Sequence, residues 1–361
     1  MPRLPTALLI EAYREDPLLP LILKECRTLG SARNELRWLR EHALRDSHSR
    51  SQLPAGSTLG WRTRLRFMCH QRSQGMPLQY IIGDQPFGDL EILCRRGVLI
   101  PRPETESYTY QAARLARQLA PVRIEEPKPP RQAKSLRILD LCTGTGCIAL
   151  LLHSLLAPHF ERLRILGVDK SATALRLAQK NVNHNRQCGL LGRRASTEVQ
   201  FHGADILRQG EVEQIISQTL STDKRFDETS RGTSECDLLI SNPPYISDSE
   251  FRNGTTARSV RLFEPRHALV PPTSHLLPLV GRPEDIFFHR ILNLSLWTRA
   301  KITVLECGDL MQARRVIEMY NTMASRDGFA AEIWPSSEYD LATNGFHPHD
   351  GSRCVIIRRY I

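Results

Sequence analysis

The spacing of apolar residues changes near residue 75. Within 31–45, apolar side chains recur every three or four positions with Arg and Glu between them, which predicts a helix, and Ser31 stands where its cap would be. Residues 46–60 are polar and predict a loop, and 61–69 again have a helical apolar face. We therefore predict a small helical domain over residues 1–74.

The next stretch is strand-like. Two short patterns of alternating character, 81–87 and 90–94, are separated by Gly88 and Asp89, a pair that favours a tight turn. We predict a β-hairpin linker over residues 75–100.

From residue 101 to 361, strand and helix patterns alternate. The predicted strands are 137–141, 164–168, 198–202, 237–240 and 302–305, followed by a closing hairpin of 331–334 and 354–359. The predicted helices are 108–119, 147–156, 172–185, 211–220, 286–297 and 311–326, with an exposed loop at 125–132 and surface insertions at 186–197 and 221–234. Alternation of this kind predicts an α/β domain with a parallel sheet and helices on both faces.

A glycine loop follows the first strand of this domain. Gly144 and Gly146 allow a sharp turn and a close approach of the backbone to a ligand, and the helix after them offers free N–H groups. Asp169 ends the next strand, where a carboxylate can hold ribose hydroxyls. Glycines alone would also fit a purely structural turn.

The order Asp-x-x-x-Gly-x-Gly resembles motif I of class I methyltransferases, so we expect a Rossmann-like fold and S-adenosyl-L-methionine as cofactor. That resemblance implies a cofactor site made of Asp140, Cys142, Thr143, Gly144, Thr145, Gly146, Asp169, Asp205, Ile206 and Asn242. Asp169 would hold the ribose, Asp205 would meet the adenine amino group and Ile206 would pack on the ring. Asp205 could equally be a helix-capping residue.

A second motif, Asn-Pro-Pro-Tyr, follows the apolar strand 237–240. Its residues are Asn242, Pro243, Pro244 and Tyr245. The prolines stiffen the backbone and remove its donors, which leaves the Asn242 side-chain oxygen and the Pro243 carbonyl as acceptors. Two acceptors can hold a planar NH2 group, and Tyr245 adds a flat face beside it. Exocyclic adenine amines and glutamine amides would both fit, and catalysis would come from positioning.

Further matches separate these two substrates. Three segments, 75–83, 87–88 and 98–106, resemble the protein-(glutamine-N5) methyltransferases of release factors, with supporting matches at 263–265, 268–269, 305–308 and Gln312. The first residues are similar to the fungal mitochondrial member of that family. The resemblance covers nearly the whole chain. It implies a helical substrate-recognition domain, a hairpin and a catalytic domain.

The same resemblance implies a function. The chain would methylate the glutamine of a Gly-Gly-Gln loop in a class I peptide-chain release factor. Asn242 and Pro243 would bind the amide, with Pro244 and Tyr245 beside it. Arg102, Glu104 and Thr105 would border the cofactor, although Arg102 and Glu104 could instead form a surface ion pair.

Two departures from the family pattern stand out. Cys142 occupies a position where the family usually has glycine, and Asp285-Ile286-Phe287 replaces an Asp-Gly-Leu segment. The second difference raises the question of whether the local turn survives.

Composition and charge indicate which partners and which cellular compartment fit the chain. The formal charge of +10 fits an anionic partner or simply a basic surface. Nine cysteines without a Cys-x-x-Cys pair predict reduced thiols and no metal site, which fits the mitochondrial matrix or, alternatively, the cytoplasm. No apolar run is long enough to cross a membrane.

Two other functions stay open. An adenine-N6 methyltransferase acting on DNA or RNA would fit the charge and the Asn-Pro-Pro-Tyr motif, but no target-recognition region for a flipped base is evident, so we expect no direct nucleic-acid partner. A non-catalytic factor that retains the fold would not need both motifs.

Overall fold

The computed structural model describes residues 3–49, 60–119, 135–220, 235–272, 281–324, 328–335 and 353–360. Its α-helices are α1 Thr6–Glu15, α2 Leu19–Cys26, α3 Leu29–Ser49, α4 Trp61–Ser73, α5 Leu78–Ile82, α6 Pro103–Gln118, α7 Cys147–Leu156, α8 Ala172–Gln187, α9 Ala195–Glu198, α10 Glu211–Leu220, α11 Asp248–Asn253, α12 Arg258–Phe263, α13 Ile286–Trp297 and α14 Leu310–Met323. Its strands are β1 Asp84–Phe87, β2 Leu90–Leu93, β3 Ser135–Leu141, β4 Arg162–Asp169, β5 Val199–Gly203, β6 Leu238–Ser241, β7 Ile302–Cys307, β8 Phe329–Trp334 and β9 Arg353–Arg359.

The described residues divide into two compact units. One consists of residues up to Asp84 together with Thr256–Glu264, and the other begins at Gln85 and contains the rest. The domain limits at 74 and 100 that we expect from the sequence stay a prediction.

The first unit is helical, as predicted. Its buried apolar side chains come from α1 to α4 and are Ala12, Leu19, Ile22, Leu23, Ala32, Leu36, Leu39, Ala43, Leu65, Met68 and Cys69. The predicted cap of α3 was wrong, because the helix begins at Leu29 and the Thr28 Oγ1 atom accepts the Ser31 N–H at 3.3 Å. The loop predicted from residue 46 was also wrong for 46–49, which continue α3, while 50–59 lie outside the described residues.

The hairpin is shorter than the sequence pattern indicates. A two-residue turn at Gly88 and Asp89 joins β1 to β2, as predicted, so the strands are antiparallel. Residues 81 and 82 were wrongly predicted as strand, since they end the short helix α5. Pro77 precedes that helix and Gly83, at φ 102°, ends it, which is the usual proline-before and glycine-after arrangement.

Seven strands form the sheet of the second unit in the order β5-β4-β3-β6-β7-β9-β8. The strands β5, β4, β3, β6 and β7 are parallel neighbours, and β9 pairs antiparallel with both β7 and β8. The predicted Rossmann-like sheet and its closing hairpin are therefore confirmed. From β3 the chain continues to β4 and β5 on one side of the sheet, and from β6 it continues to β7 on the other side. The strands β3 and β6 therefore flank the switch point, where open α/β sheets bind ligands.

Both faces of the sheet are covered. On β3, Leu136 and Ile138 pack with α6 and α7, whereas Leu139 and Leu141 pack with apolar residues of α10, α13 and α14. Such alternation buries both faces of a parallel sheet and explains the near-continuous apolar strands.

Other boundaries differ from those predicted. The helix expected from residue 108 begins at Pro103, whose fixed φ suits a first helical turn. The segment 186–197 is not a plain surface insertion, because its Leu191 and Ala195 are buried in the core and Arg194 donates to the carbonyls of Ala157 and Phe160. The segments 125–132 and 221–234 lie outside the described residues, and no helix of the described part of the chain is long and apolar enough to span a membrane.

Candidate active site

The glycine loop connects β3 to α7 through three residues with left-handed backbone. Cys142, Gly144 and Gly146 have φ values of 61°, 54° and 79°. A Cβ atom on Gly146 would lie 2.9 Å from the Phe201 Cζ atom and 3.1 Å from the Ala178 Cβ atom, so both its φ and its packing require glycine. The glycines of the motif therefore have a local structural reason.

Asp140, near the end of β3, holds this loop through a hydrogen bond to Thr143. It is fully buried, and its Oδ2 atom accepts the Thr143 hydroxyl at 2.6 Å, while Oδ1 has no hydrogen-bond partner in the described structure. Burial raises the pKa of Asp140 to about 7, and the Thr143 hydrogen bond opposes that rise.

Asp169 lies at the end of β4, next to the loop. Its two carboxylate oxygens accept the N–H groups of Gly144 at 3.0 Å and Ser171 at 2.8 Å. Each oxygen keeps a second lone pair for a ligand. Burial raises the pKa of Asp169, and the two N–H donors act in the opposite direction.

A cleft of about 840 Å³, including its part open to solvent, lies along these strand ends. Of the predicted site residues it is lined by Cys142, Thr143, Gly144, Thr145, Asp169, Asp205, Ile206, Asn242 and Pro244, and also by Arg102 and Thr105. The predicted Asp140, Gly146, Pro243, Tyr245 and Glu104 are not among the lining residues. Lys170, His267 and Phe287 line the cleft without having been predicted.

The donor set of this cleft fits a nucleoside-containing cofactor. Two carboxylates, Asp169 and Asp205, can accept hydrogen bonds from ribose hydroxyls and an exocyclic amine. Apolar walls beside them come from Ile206 and Phe287, which suit a flat base. The residues present therefore fit S-adenosyl-L-methionine.

Asp205 is not a helix cap. Its Oδ1 atom accepts the N–H of Leu207 at 3.1 Å, two residues on, and its own N–H donates to Glu211 at 3.0 Å. This local turn holds the side chain before α10 begins, and the other carboxylate oxygen is left for a ligand.

Asn242 follows β6, the strand next to β3. Ser241 anchors the end of β6 by donating its hydroxyl to the Leu141 carbonyl at 2.7 Å. The Asn242 Nδ2 atom donates to Thr105 Oγ1 at 3.1 Å. Pro243 and Pro244 are buried, and Tyr245 is half-buried.

Glu306 is the residue that sequence reasoning missed at this end of the site. Its Oε2 atom accepts the Thr105 hydroxyl at 2.7 Å and its Oε1 atom accepts the Tyr245 hydroxyl at 3.2 Å. Burial raises the pKa of Glu306 to about 7 and that of Tyr245 well above its usual range. The available signal was a charged glutamate near the end of the mostly apolar strand β7.

A second polar layer supports Tyr245. The Gln312 side chain donates to the Tyr245 carbonyl at 3.2 Å and to Asp285 at 3.0 Å, and it accepts the Gly308 N–H at 2.8 Å. Arg315 donates two hydrogen bonds to the Asp285 carboxylate at 2.6 and 3.0 Å. The loop after β6 is thus held by α14 as well as by β7.

The two departures from the family pattern have different consequences. Cys142, in the left-handed region, carries a side chain where glycine is favoured. The turn at Asp285 and Ile286 has φ values of −97° and −61°, so the absent glycine leaves no strain. All nine cysteines are free and most are buried, as predicted, with Cys188 exposed.

The chain is similar to known glutamine methyltransferases. The chain is 34% identical over 294 residues to the mitochondrial MRF1 N(5)-glutamine methyltransferase MTQ1 of Saccharomyces cerevisiae, covering 81% of this chain and 76% of that protein. It is 35% identical over 326 residues to the probable MRF1 mitochondrial N(5)-glutamine methyltransferase of Schizosaccharomyces pombe, covering 88% and 90%. A release factor glutamine methyltransferase of Haemophilus influenzae is 35% identical over 58% of each chain.

No protein-family model matches the chain. Among solved structures, the N-terminal domain of human METTL16 aligns with a TM-score of 0.45 and 15% identity, over 81% of this chain and 82% of that one. Two relatives are more than 30% identical to this chain, and the alignment covers most of the length of each. The chain therefore belongs to the family of release factor N(5)-glutamine methyltransferases.

Proposed function

We propose that the chain transfers a methyl group from S-adenosyl-L-methionine to the side-chain amide nitrogen of the Gly-Gly-Gln glutamine in a mitochondrial class I release factor. The observation that carries this proposal is that Asn242 lines the same cleft as the glycine loop. The two lie at the ends of neighbouring parallel strands, with Leu141 paired to Ser241.

The cofactor end of the cleft would be formed by the loop of residues 142–146 and by Asp169, Asp205 and Ile206. S-adenosyl-L-methionine, when bound, supplies an electrophilic methyl group. Asp169 would accept from its ribose hydroxyls and Asp205 from its adenine amine, while the short turn at residues 205–207 keeps the Asp205 carboxylate in place. Arg102 and Thr105 would border the same end.

The substrate end would be formed by Asn242, Pro243, Pro244 and Tyr245. The Asn242 Oδ1 atom and the Pro243 carbonyl would each accept one N–H of the glutamine amide. An amide nitrogen is a poor nucleophile because its lone pair is delocalised, so holding both hydrogens also stabilises the positive charge that develops on nitrogen during transfer. The buried prolines keep these acceptors rigid.

Transfer of labelled methyl to a recombinant mitochondrial release factor tests the proposal. We expect label on the glutamine of Gly-Gly-Gln, located by mass spectrometry, and none on a Gly-Gly-Ala substrate. A pool of DNA and RNA runs in parallel. Label entering adenine would replace the proposal with the adenine-N6 function, and cofactor binding without any transfer would contradict it.

We further propose a mitochondrial location, in the matrix, because relatives from two yeasts are named as mitochondrial enzymes. Imaging of a tagged chain together with protease protection in purified mitochondria tests this. Cytoplasmic signal would contradict it.

Release-factor recognition is proposed for the N-terminal residues 1–74. Tyr13 and Phe67 support this, since both large side chains are about three-fifths exposed. A full-length Phe67→Ala variant should raise the KM for the release factor and leave kcat unchanged. Unchanged KM values for both Phe67→Ala and Tyr13→Ala would contradict the proposal.

A further inference from the structure

A chain of three hydrogen bonds links Asn242 to groups far away in the sequence. Asn242 donates to Thr105 at 3.1 Å, Thr105 donates to Glu306 at 2.7 Å, and Tyr245 donates to the other oxygen of Glu306 at 3.2 Å. Thr105 and Glu306 are almost fully buried, at 3% and 4% exposure, so water does not compete for these bonds.

Each bond in this chain determines the direction of the next. In its ionised form the Glu306 carboxylate only accepts, so the single proton of the Thr105 hydroxyl is committed to Glu306. The Thr105 oxygen can then only accept, and the asparagine amide must present its NH2 group to it. The opposite orientation would place two acceptors against each other and leave a buried polar group without a bond, which is costly.

We propose that Glu306, acting through the Thr105 hydroxyl, sets the orientation of the Asn242 amide so that its oxygen is the atom left to face the substrate. This inference rests on the proposed function, because the facing group is taken to be the glutamine NH2. An inverted Asn242 would present a donor to a donor and could not hold the nucleophile. Thr105 and Glu306 are thus positioning residues.

The same carboxylate also holds the tyrosine of the motif. With Oε1 on Tyr245 and Oε2 on Thr105, one buried glutamate on β7 bonds one side chain of the loop after β6 directly and places a second, Asn242, through Thr105 of α6. Glu306 itself does not line the cleft, so its effect must pass through these neighbours.

Kinetics of the full-length enzyme with a release-factor substrate test the inference. Thr105→Val keeps the shape of the side chain and removes the hydroxyl, and we expect kcat to fall about 10- to 100-fold while KM for the release factor stays within about 3-fold. Thr105→Ser keeps the hydroxyl and should restore kcat to within about 3-fold of wild type. In an Asn242→Ala background, Thr105→Val should have no further effect, because both changes remove one function.

The kinetic outcomes separate the inference from the proposed function. A wild-type enzyme that labels no glutamine would contradict the proposed function. Wild-type transfer with a normal kcat for Thr105→Val, or an effect of Thr105→Val that adds fully to that of Asn242→Ala, would overturn the inference alone.

A readout without turnover applies to the same variants. The side-chain NH2 signals of Asn242 in a ¹⁵N-asparagine-labelled sample, assigned by their loss in Asn242→Asp, should be protected from hydrogen exchange. We expect Thr105→Val to remove that protection and Thr105→Ser to retain it. Equal protection in Thr105→Val and wild type would overturn the inference, whatever the natural substrate is.

Discussion

The loops after β3 and β6 are neighbours that are held in different ways. The glycine loop has three positive φ values within residues 142–146, and the side chains that bond its backbone, Asp169 and Asn181, lie within 36 positions of it. The loop Asn242–Tyr245 has buried prolines and is held by side chains from α6, β7 and α14.

Each loop nevertheless rests on one buried carboxyl group with a pKa raised to about 7, Asp140 in one case and Glu306 in the other. Asp140 is bonded by Thr143, three positions away, whereas Glu306 is bonded by Thr105, 201 positions away. The glycine loop can therefore be built from residues that are comparatively close along the chain. The loop Asn242–Tyr245 must fix the orientation of the Asn242 amide, and its partners come from three elements, α6, β7 and α14.

The largest effect on catalysis is expected from removing the Asn242 side-chain amide. Asn242→Ala should lower kcat for release-factor methylation about 100-fold or more, the usual effect of removing a group that stabilises developing charge. Affinity for S-adenosyl-L-methionine, measured by calorimetry, should change by less than about 3-fold, because the glycine loop and Asp169 remain. Loss of cofactor binding in the same proportion would show that the two loops do not act separately.

A change in the glycine loop should instead lower stability and cofactor affinity. Gly146→Ala adds a Cβ atom 2.9 Å from Phe201 at a φ of 79°, so we expect the free energy of unfolding to fall by about 2–4 kcal/mol and cofactor affinity to fall with it. Gly210→Ala is the matched control, since Gly210 has a φ of 89° and open space around it. If both variants lost equal stability, the packing against Phe201 would not matter.

The two buried carboxyl groups predict a pH dependence of stability. Their native pKa values of about 7 exceed the ordinary values of 3.8 and 4.5, so the folded protein holds protons that the unfolded chain releases. The stabilisation from each protonated carboxyl group is therefore fully present below about pH 4 and is lost as pH rises to about 7, by on the order of 3–4 kcal/mol per group.

Urea unfolding of wild type, Glu306→Gln and Asp140→Asn between about pH 5 and pH 8 measures this effect. Each variant should show a smaller decline than wild type, since it lacks one of the two groups. A variant with the wild-type slope would mean that its carboxyl group does not titrate in this range.

The smallest effect is expected at Cys142. Its φ of 61° costs an L-residue about 1–2 kcal/mol, while glycine gains chain entropy in the unfolded state. Cys142→Gly should therefore raise the free energy of unfolding by about 0.5 kcal/mol, measured by the same denaturation. Gly144→Ala, at a φ of 54° with no close contact, should lower it by about 1 kcal/mol, and a loss of stability in Cys142→Gly would contradict this account.

Sequence reasoning was most accurate where structure is local. The helices 147–156, 211–220 and 286–297 were predicted with the bounds that the structure has, because apolar residues in a run or at helical spacing define them. It failed at residues 81–82, where a strand-like pattern is overridden by Pro77 and Gly83, and at Ser31, where Thr28 three positions earlier is the better-placed cap.

The sequence by itself determined the order of strands and helices, the glycine loop, the Asn-Pro-Pro-Tyr motif and the family, because each depends on residues adjacent along the chain. Only the tertiary structure decided that Thr105 and Glu306 meet Asn242, that Gln312 and Asp285 support Tyr245, and that Asp140 lies beneath the loop and not in the cleft. Periodicity indicates which face of an element is buried, but not which residue of a distant element lies opposite. A hydrogen bond between residues 105 and 306 forms only once the sheet has brought α6 and β7 together.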